Sequence, residues 1–320
     1  MHRIEWGSVD AGPAGKIETV VLASDEAGGV EAQFAPSAGM VGCSLRVAGE
    51  EVLGLRDGLG AYIEGHSTMG IPLLYPWANR LGELEFEVAG RTVRIDGDSA
   101  AVKLDENGLP MHGLLTASPG WEVTGRTADE VGARLRARFA FDEESGLTAA
   151  FPFPHTLGLE VELRGAELEI RAIVRADAGS TVPVAFGFHP YMRLPGLPRA
   201  EWEVSAPVAN RLVLDSRGLP TGERGPAQLE PGPLGERGLD DAFTTSSGDP
   251  FVLSGGDRRI ELSLLDGYPY SQLYAPPERE LIAFEPMTAP TNALVSGEDL
   301  TLLEPGEEYE ACYKVIPIGF

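Results

Sequence analysis

Glycine and proline punctuate this chain along its whole length, with 40 glycines and 25 prolines in 320 residues. Both residues interrupt or weaken the intrahelical hydrogen-bond ladder, so long helices are excluded. What lies between them is a series of short runs that alternate apolar and polar residues. Residues 84–88 (Leu-Glu-Phe-Glu-Val) alternate, pass through Ala89-Gly90, and return as 91–95, which predicts a hairpin. Residues 133–141 alternate in the same way. A second hairpin is predicted from 159–163, through a turn near Gly165, to 167–174, with its charges largely on one face. Further strands are expected at 259–264 and 310–316. No amphipathic helix of three or more turns and no internal repeat is found.

Regularly spaced, alternating strands joined by Gly/Pro turns indicate an all-β protein built of antiparallel sheets packed face to face. The expectation is one large β-sandwich domain over residues 1–320. Two segments, 97–120 and 205–238, are richer in Pro, Gly and charge than their surroundings; they are expected to be lids over a site or decorated surface.

The formal net charge of -24 repels nucleic-acid backbones and anionic membranes, and favours a neutral or cationic ligand unless a local basic pocket intervenes. Cys43 and Cys312 are far apart and outside any C-x-x-C spacing, so they are expected to be reduced structural thiols rather than a disulfide framework or zinc site. The first residues, Met-His-Arg-Ile-Glu-Trp-Gly, lack the pattern of an export signal. No stretch approaches the roughly 20 apolar residues that span a bilayer. A soluble, cytoplasmic protein, monomeric or homodimeric, is expected.

Candidate chemistry concentrates in a few stiff, mostly apolar stretches. His189 lies in Phe-Gly-Phe-His-Pro-Tyr, where its neighbours would desolvate the ring and hold one orientation, a setting that tunes His as an acid. The plain alternative is a core His bonded to a backbone carbonyl. Glu285 lies between Phe284 and Pro286 at the end of an apolar run; a carboxylate there is expensive to bury and needs a reason, unless it turns to solvent at the strand end. Asn79 and Arg80 end the run Ile-Pro-Leu-Leu-Tyr-Pro-Trp-Ala-Asn-Arg. The Arg80 fork suits two sugar oxygens or a carboxylate, and equally a surface ion pair. His112 precedes Gly113, which would let a ligand approach the backbone closely. Asp240 and Asp241 would accept from vicinal hydroxyls, or simply make a turn. His66 and His155 are expected to be structural or peripheral. Donors, acceptors and an acid–base pair, with no metal motif, point to proton transfer on a hydroxylated substrate.

These stretches resemble the aldose 1-epimerase (galactose mutarotase) family. Pieces similar to its G-x-P-L-x-x-P-x-x-N-R, H-G, H-P-Y and E-P-x-T-x-P-x-N occur in order at 70–80, 112–113, 189–191 and 285–292, with further matches at 240–243 and 271–274. The resemblance implies a β-supersandwich fold, no cofactor, and interconversion of the α and β anomers of a free aldohexose. It also implies Glu285 as general base and His189 as general acid. Arg80, His112 and Asp240 would bind sugar, with Asn79 and Gln272 nearby in the same motifs. Around His189 the chain departs from the best-known galactose mutarotases, which carry an Asn-His-Ser-Tyr-Phe-Asn type of sequence. Its Phe-His-Pro-Tyr-Met-Arg resembles a broader aldose-epimerase-like branch that includes hexose-6-phosphate epimerases.

The mechanism that follows has ionised Glu285 taking the anomeric hydroxyl proton while protonated His189 donates to the ring oxygen, with a bell-shaped pH profile. Trp77, Tyr191 or Tyr75 would stack on the sugar's apolar face. A phosphorylated substrate would need an anion pocket, for which Arg80 and Arg193 are the candidates. A non-catalytic sugar-binding module is the alternative from another class, and a metal site of His66, His112, His189 and Glu285 a third reading.

Overall fold

The computed structural model describes residues 1–320 apart from positions 66, 228, 230, 231 and 247. His66 therefore lies outside the described residues. The fold is all-β, about 51% strand and 6% helix, and every ladder between named strands is antiparallel. The longest helix among the described residues is Gly58–Ile63, as the glycine and proline content requires.

Three large sheets carry the architecture. A five-stranded meander runs in sequence order from His2–Asp10 to Glu50–Glu51. The predicted hairpin forms between His155–Arg164 and Glu167–Ala176 and lies within an eight-stranded sheet. That sheet also takes in Ala133–Phe141 and then crosses to the last strand, Glu308–Ile318, and to Arg258–Asp266. The third sheet, also eight-stranded, places Leu239–Thr245, Tyr270–Ala275 and Ile282–Met287 side by side, followed by Gly187–Phe188 and Leu73–Leu74. Tyr191–Met192 pairs with Ile282–Met287 as well.

The last two sheets meet through aromatic side chains. Phe188 packs edge-on against Tyr313 with ring centroids 5.2 Å apart, and Phe284 packs on Phe251 at 5.4 Å. Each such ring contributes about 1.5–3 kcal/mol by leaving water. Because side chains alternate along a strand, Phe284 facing the core turns Glu285 to the opposite face. All six residues of Ile282–Met287 are buried, so that face is covered too. Glu285 is thus the one charge in a strand enclosed on both sides.

The hairpin predicted at 84–95 is present as Glu85–Val88 and Arg91–Arg94. The segment 205–238 is not all loop: within it Val208–Leu214 and Pro220–Pro226 form a hairpin at the edge of the third sheet. Its residues are mostly exposed, so no apolar alternation marks it in the sequence. Cys43 and Cys312 are both buried free thiols, and burial pushes each up to about 12. No helix among the described residues is long and apolar enough to cross a membrane.

Candidate active site

His189 is delivered by a break in a ladder. Gly187 pairs with Met287 and Tyr191 with Ala283 on the same strand, so the two-residue steps converge on His189 opposite Glu285. Pro190 has no N–H and cannot continue the ladder. The His189 and Tyr191 amides instead donate to the carbonyls of Pro72 and Gly70, at 3.1 and 2.8 Å. Gly187 is required for this close passage, since a β-carbon there would lie 2.5 Å from the Pro286 carbonyl oxygen.

The result is a direct contact between His189 Nε2 and Glu285 Oε1 at 3.1 Å, with side chains only 5% and 2% exposed. Burial dominates both groups. It pushes Glu285 well above the usual carboxylate range, helped by the Asp240 charge and opposed by Arg80. It pushes His189 well below its ordinary value, with His112 and Arg56 adding to the effect. Burial thus disfavours the charged form of each group, which favours a neutral pair sharing one proton over an ionised one. The ionised Glu285 and protonated His189 expected for the reaction are one proton transfer away from that neutral pair.

The remaining lining gathers around this pair in a cavity of about 320 Å³, formed by Arg56, Thr68, Asn79, Arg80, Lys103, Glu106, Met111, His112, Tyr191, Asp240 and Tyr274 with His189 and Glu285. Tyr191 stacks on the His189 ring, with centroids 4.2 Å apart. Its hydroxyl lies 3.2 Å from His189 Nε2 and 2.6 Å from the Thr68 hydroxyl. Arg56 donates to the same hydroxyl at 3.2 Å. His112 meets His189 edge-on at 5.5 Å; burial, then the Lys103 and Arg80 charges, lower it to about 3, so it is neutral.

Asn79 and His112 are both in the left-handed backbone region, with φ of 54° and 63°, and the His112 amide donates to the Asn79 carbonyl at 2.8 Å. Arg80 is fixed between Asp105 (Nε to Oδ2, 2.7 Å) and the Asn79 side chain (2.9 Å). On the neighbouring strand Gln272 donates to Asp240 Oδ1 at 2.6 Å. Three buried polar atoms of the lining, His189 Nδ1, His112 Nδ1 and Glu285 Oε2, and Gln272 Oε1 behind it, have no partner among the described residues. Buried polar groups are rarely left so, and a cluster of them in one cavity marks a place built for a polar ligand.

Comparison with known proteins decides the family: the model for aldose 1-epimerase matches residues 27–315. The chain belongs to the aldose 1-epimerase family. A galactose mutarotase-like protein from Clostridium acetobutylicum superposes with a TM-score of 0.85 at 18% identity, covering 99% of each chain. The galactose 1-epimerase of Lactobacillus acidophilus NCFM superposes at 0.78 with 15% identity, again over 99% of each. Among curated sequences, the uncharacterized protein YihR of Escherichia coli strain K12 is 23% identical over 255 residues, 76% of this chain and 77% of its own length. At these identities the solved structures establish the fold alone.

Of the seven residues that the family resemblance singles out, six line the cavity of this aldose 1-epimerase family member: Asn79, Arg80, His112, His189, Asp240 and Glu285. Gln272 stands behind them, holding Asp240. The aromatic candidates separate. Tyr191 lines the cavity, whereas Trp77 is buried in the main core and Tyr75 turns its hydroxyl to His155 Nε2 at 2.5 Å. His155 Nδ1 donates to the Phe153 carbonyl, also at 2.5 Å, so His155 is structural as expected. Arg193 does not line the cavity. Asp241 pairs with Arg211 instead of joining Asp240. Gly113 serves the fold rather than a ligand, because a β-carbon there would sit 2.1 Å from the Tyr75 carbonyl oxygen.

Residues 97–120 supply Lys103, Glu106, Met111 and His112 to the lining, so this segment is a wall of the cavity. Sequence reasoning missed Arg56, Thr68, Lys103 and Asp105. Arg56 alone carries a structural signal, a left-handed φ of 45°; the other three lie in polar stretches without distinctive neighbours. A larger cavity of about 600 Å³ adjoins the site, sharing Arg80, Glu106 and Asp240 and bounded by the 208–226 hairpin, but it contains neither His189 nor Glu285. Among the described residues no three His, Cys, Asp or Glu side chains converge as a metal site.

Proposed function

We propose that this protein is an aldose 1-epimerase that interconverts the α and β anomers of an aldohexose by proton transfer through Glu285 and His189. The observation that carries this reading is the 3.1 Å contact between two deeply buried, oppositely behaving titratable groups on the wall of one polar cavity. Moving the shared proton from Glu285 to His189 gives a carboxylate and an imidazolium. The carboxylate takes the proton of the anomeric hydroxyl while the imidazolium protonates the ring oxygen, and the C1–O5 bond breaks to give the open aldehyde. Rotation about C1–C2 presents the other carbonyl face, and reversal of both transfers closes the other anomer. The pair ends each turnover with one proton, as it began.

Surrounding groups support these steps. Arg80 favours the ionised form of Glu285, and Asp240, steadied by Gln272, accepts from sugar hydroxyls. Neutral His112 offers one donor and one acceptor. Tyr191 holds the His189 ring in place and presents its hydroxyl at the edge of the reacting site. An acid and a base each worth about 10²–10⁴ in rate are enough to outrun a ring opening that already proceeds in water.

The test is polarimetric, following freshly dissolved α-D-glucose and α-D-galactose with and without protein. Acceleration that disappears in both His189→Asn and Glu285→Gln, with folding intact, is the expected result. Sugar binding without acceleration by the native protein would make this a carbohydrate-binding module instead.

A further inference from the structure

Two cations face the cavity with no carboxylate in contact with either among the described residues. The chain carries 49 acidic residues against 25 Lys and Arg, so acidic partners are abundant, and Arg80 in the same lining is taken by Asp105. Among the described residues neither Arg56 nor Lys103 forms an ion pair. Among the described residues the one hydrogen-bond partner of the Arg56 side chain is the Tyr191 hydroxyl, with the guanidinium 5.7 Å from the centre of that ring. The Lys103 ammonium has no hydrogen-bond partner among the described residues. The exposed carboxylates of the lining, Glu106 and Asp240, pair with neither. Burial, and then the nearby Arg56 charge, hold Lys103 below its ordinary value. The fold thus brings two like charges within range of each other in a partly desolvated wall.

The backbone is committed to this arrangement. Arg56 has φ of 45°, a left-handed conformation that β-carbon sterics disfavour and that persists only where surrounding structure imposes it. That structure is visible. The Gly54 amide donates to the Tyr191 carbonyl at 2.9 Å, and a β-carbon on Gly54 would come within 3.0 Å of Tyr191 Cβ. On the other side, the strand Lys103–Leu104 pairs with Pro110–Met111, next to His112.

We propose that Arg56 and Lys103 form an anion subsite, and that the aldose bound here carries a negatively charged group, a phosphate, sulfate or carboxylate, at the end of its exocyclic carbon. The inference rests on the reading of this cavity as an aldose site. The position follows from the chemistry. In a pyranose the exocyclic carbon is attached to C5, which is bonded to the ring oxygen, and the ring oxygen is the atom that His189 protonates. Arg56 reaches His189 through one side chain, Tyr191, so a group projecting from C5 lies on the Arg56 side of the site. A local cationic pair of this kind overrides the repulsion expected from the overall charge, because screening limits distant charges to about 10 Å while the pair acts in direct contact.

Binding of unreactive sugars tests this apart from catalysis. 1,5-Anhydroglucitol lacks the anomeric hydroxyl and cannot turn over, so calorimetric titration with it, its 6-phosphate, its 6-sulfate and its 6-carboxylate isolates the anion's contribution. The expected result is at least tenfold tighter binding of one or more anionic forms, an advantage that weakens with salt. It should fall severalfold in Lys103→Met and Arg56→Met and persist in Lys103→Arg, with thermal unfolding of each variant reported alongside. Equal affinity for neutral and charged forms, or a preference that survives both methionine variants, overturns the proposal. Equal affinity together with mutarotation of glucose leaves the epimerase reading standing; an anionic preference without anomer exchange of any sugar removes that reading and keeps the subsite. Failure of all four ligands to bind overturns both.

Discussion

His189 stands opposite Glu285 because the chain leaves and re-enters one antiparallel ladder around Pro190, pairing at Gly187–Met287 and again at Tyr191–Ala283. The proposed acid–base pair is thereby set by strand register, the most rigid positional device a sheet offers. A slip of one residue would turn Glu285 into the aromatic core and Phe284 into the cavity.

The first prediction concerns the pH dependence of turnover. In the proposed mechanism activity requires one proton on the pair. The second proton arrives only below the depressed value of His189, and the first leaves only above the raised value of Glu285. A broad bell spanning neutral pH is expected, its limbs belonging to the pair as a unit. Because the Asp240 charge raises Glu285 and Arg80 lowers it, Asp240→Asn should move the alkaline limb to lower pH and Arg80→Gln should move it higher. Profiles of kcat for the three proteins check this, and shifts in the opposite directions would refute the assignment.

A second prediction concerns stability. His112, His155 and His189 are all lowered by burial, the first two to about 3 and about 4. Below an unfolded value near 6.5 the unfolded chain gains these protons and the native protein does not, so stability falls as pH falls. Glu285 acts oppositely: above an unfolded value near 4.5 it keeps a proton that the unfolded chain has lost, so its burial costs more as pH rises. Between these values the four groups differ by up to two protons, a slope approaching about 3 kcal/mol per pH unit. Their combined contribution is greatest near about pH 7. Denaturant melts from pH 5 to 9 should show the acid loss in the native protein and a smaller alkaline loss in Glu285→Gln.

Much of this was legible beforehand. The hairpin at 155–176 and the strands at 133–141 and 308–318 alternate cleanly because each has one face in the core. Glu285 and His189 were visible as polar residues in apolar sequence, and the structure buries both. The 208–226 hairpin was not visible, since its exposed faces impose no alternation. Nor was the protonation of the pair: it depends on how completely His112, Tyr191 and Tyr274 exclude water, which is a property of packing between segments far apart in sequence. Asp105 was hidden for a similar reason, because its tie to Arg80 is a contact between separate segments of the chain.

The third prediction addresses that pinning from the other side. Asn292 has φ of 71°, its amide N–H donates to the Arg80 carbonyl at 3.0 Å, and its side-chain oxygen accepts from the Gly82 amide at 2.7 Å. Asn292→Ala leaves that part-buried amide without its partner and forces a left-handed alanine, at a cost of about 1–3 kcal/mol. Asn292→Gly restores the backbone freedom alone and should recover part of the loss. If Asn292 positions Arg80, both variants should raise KM more than they lower kcat; a melt unchanged in Asn292→Ala would show that the tie carries no weight.

The most direct test of the acid–base account is NMR exchange spectroscopy of the sugar found to turn over, with native protein, His189→Asn, Glu285→Gln and the double variant. Each single variant should lose about 10²–10⁴ of the catalysed rate, and the double should lose little more, because a shared proton fails when either holder is removed. Native-like anomer exchange in either single variant, with its fold intact, would contradict the account.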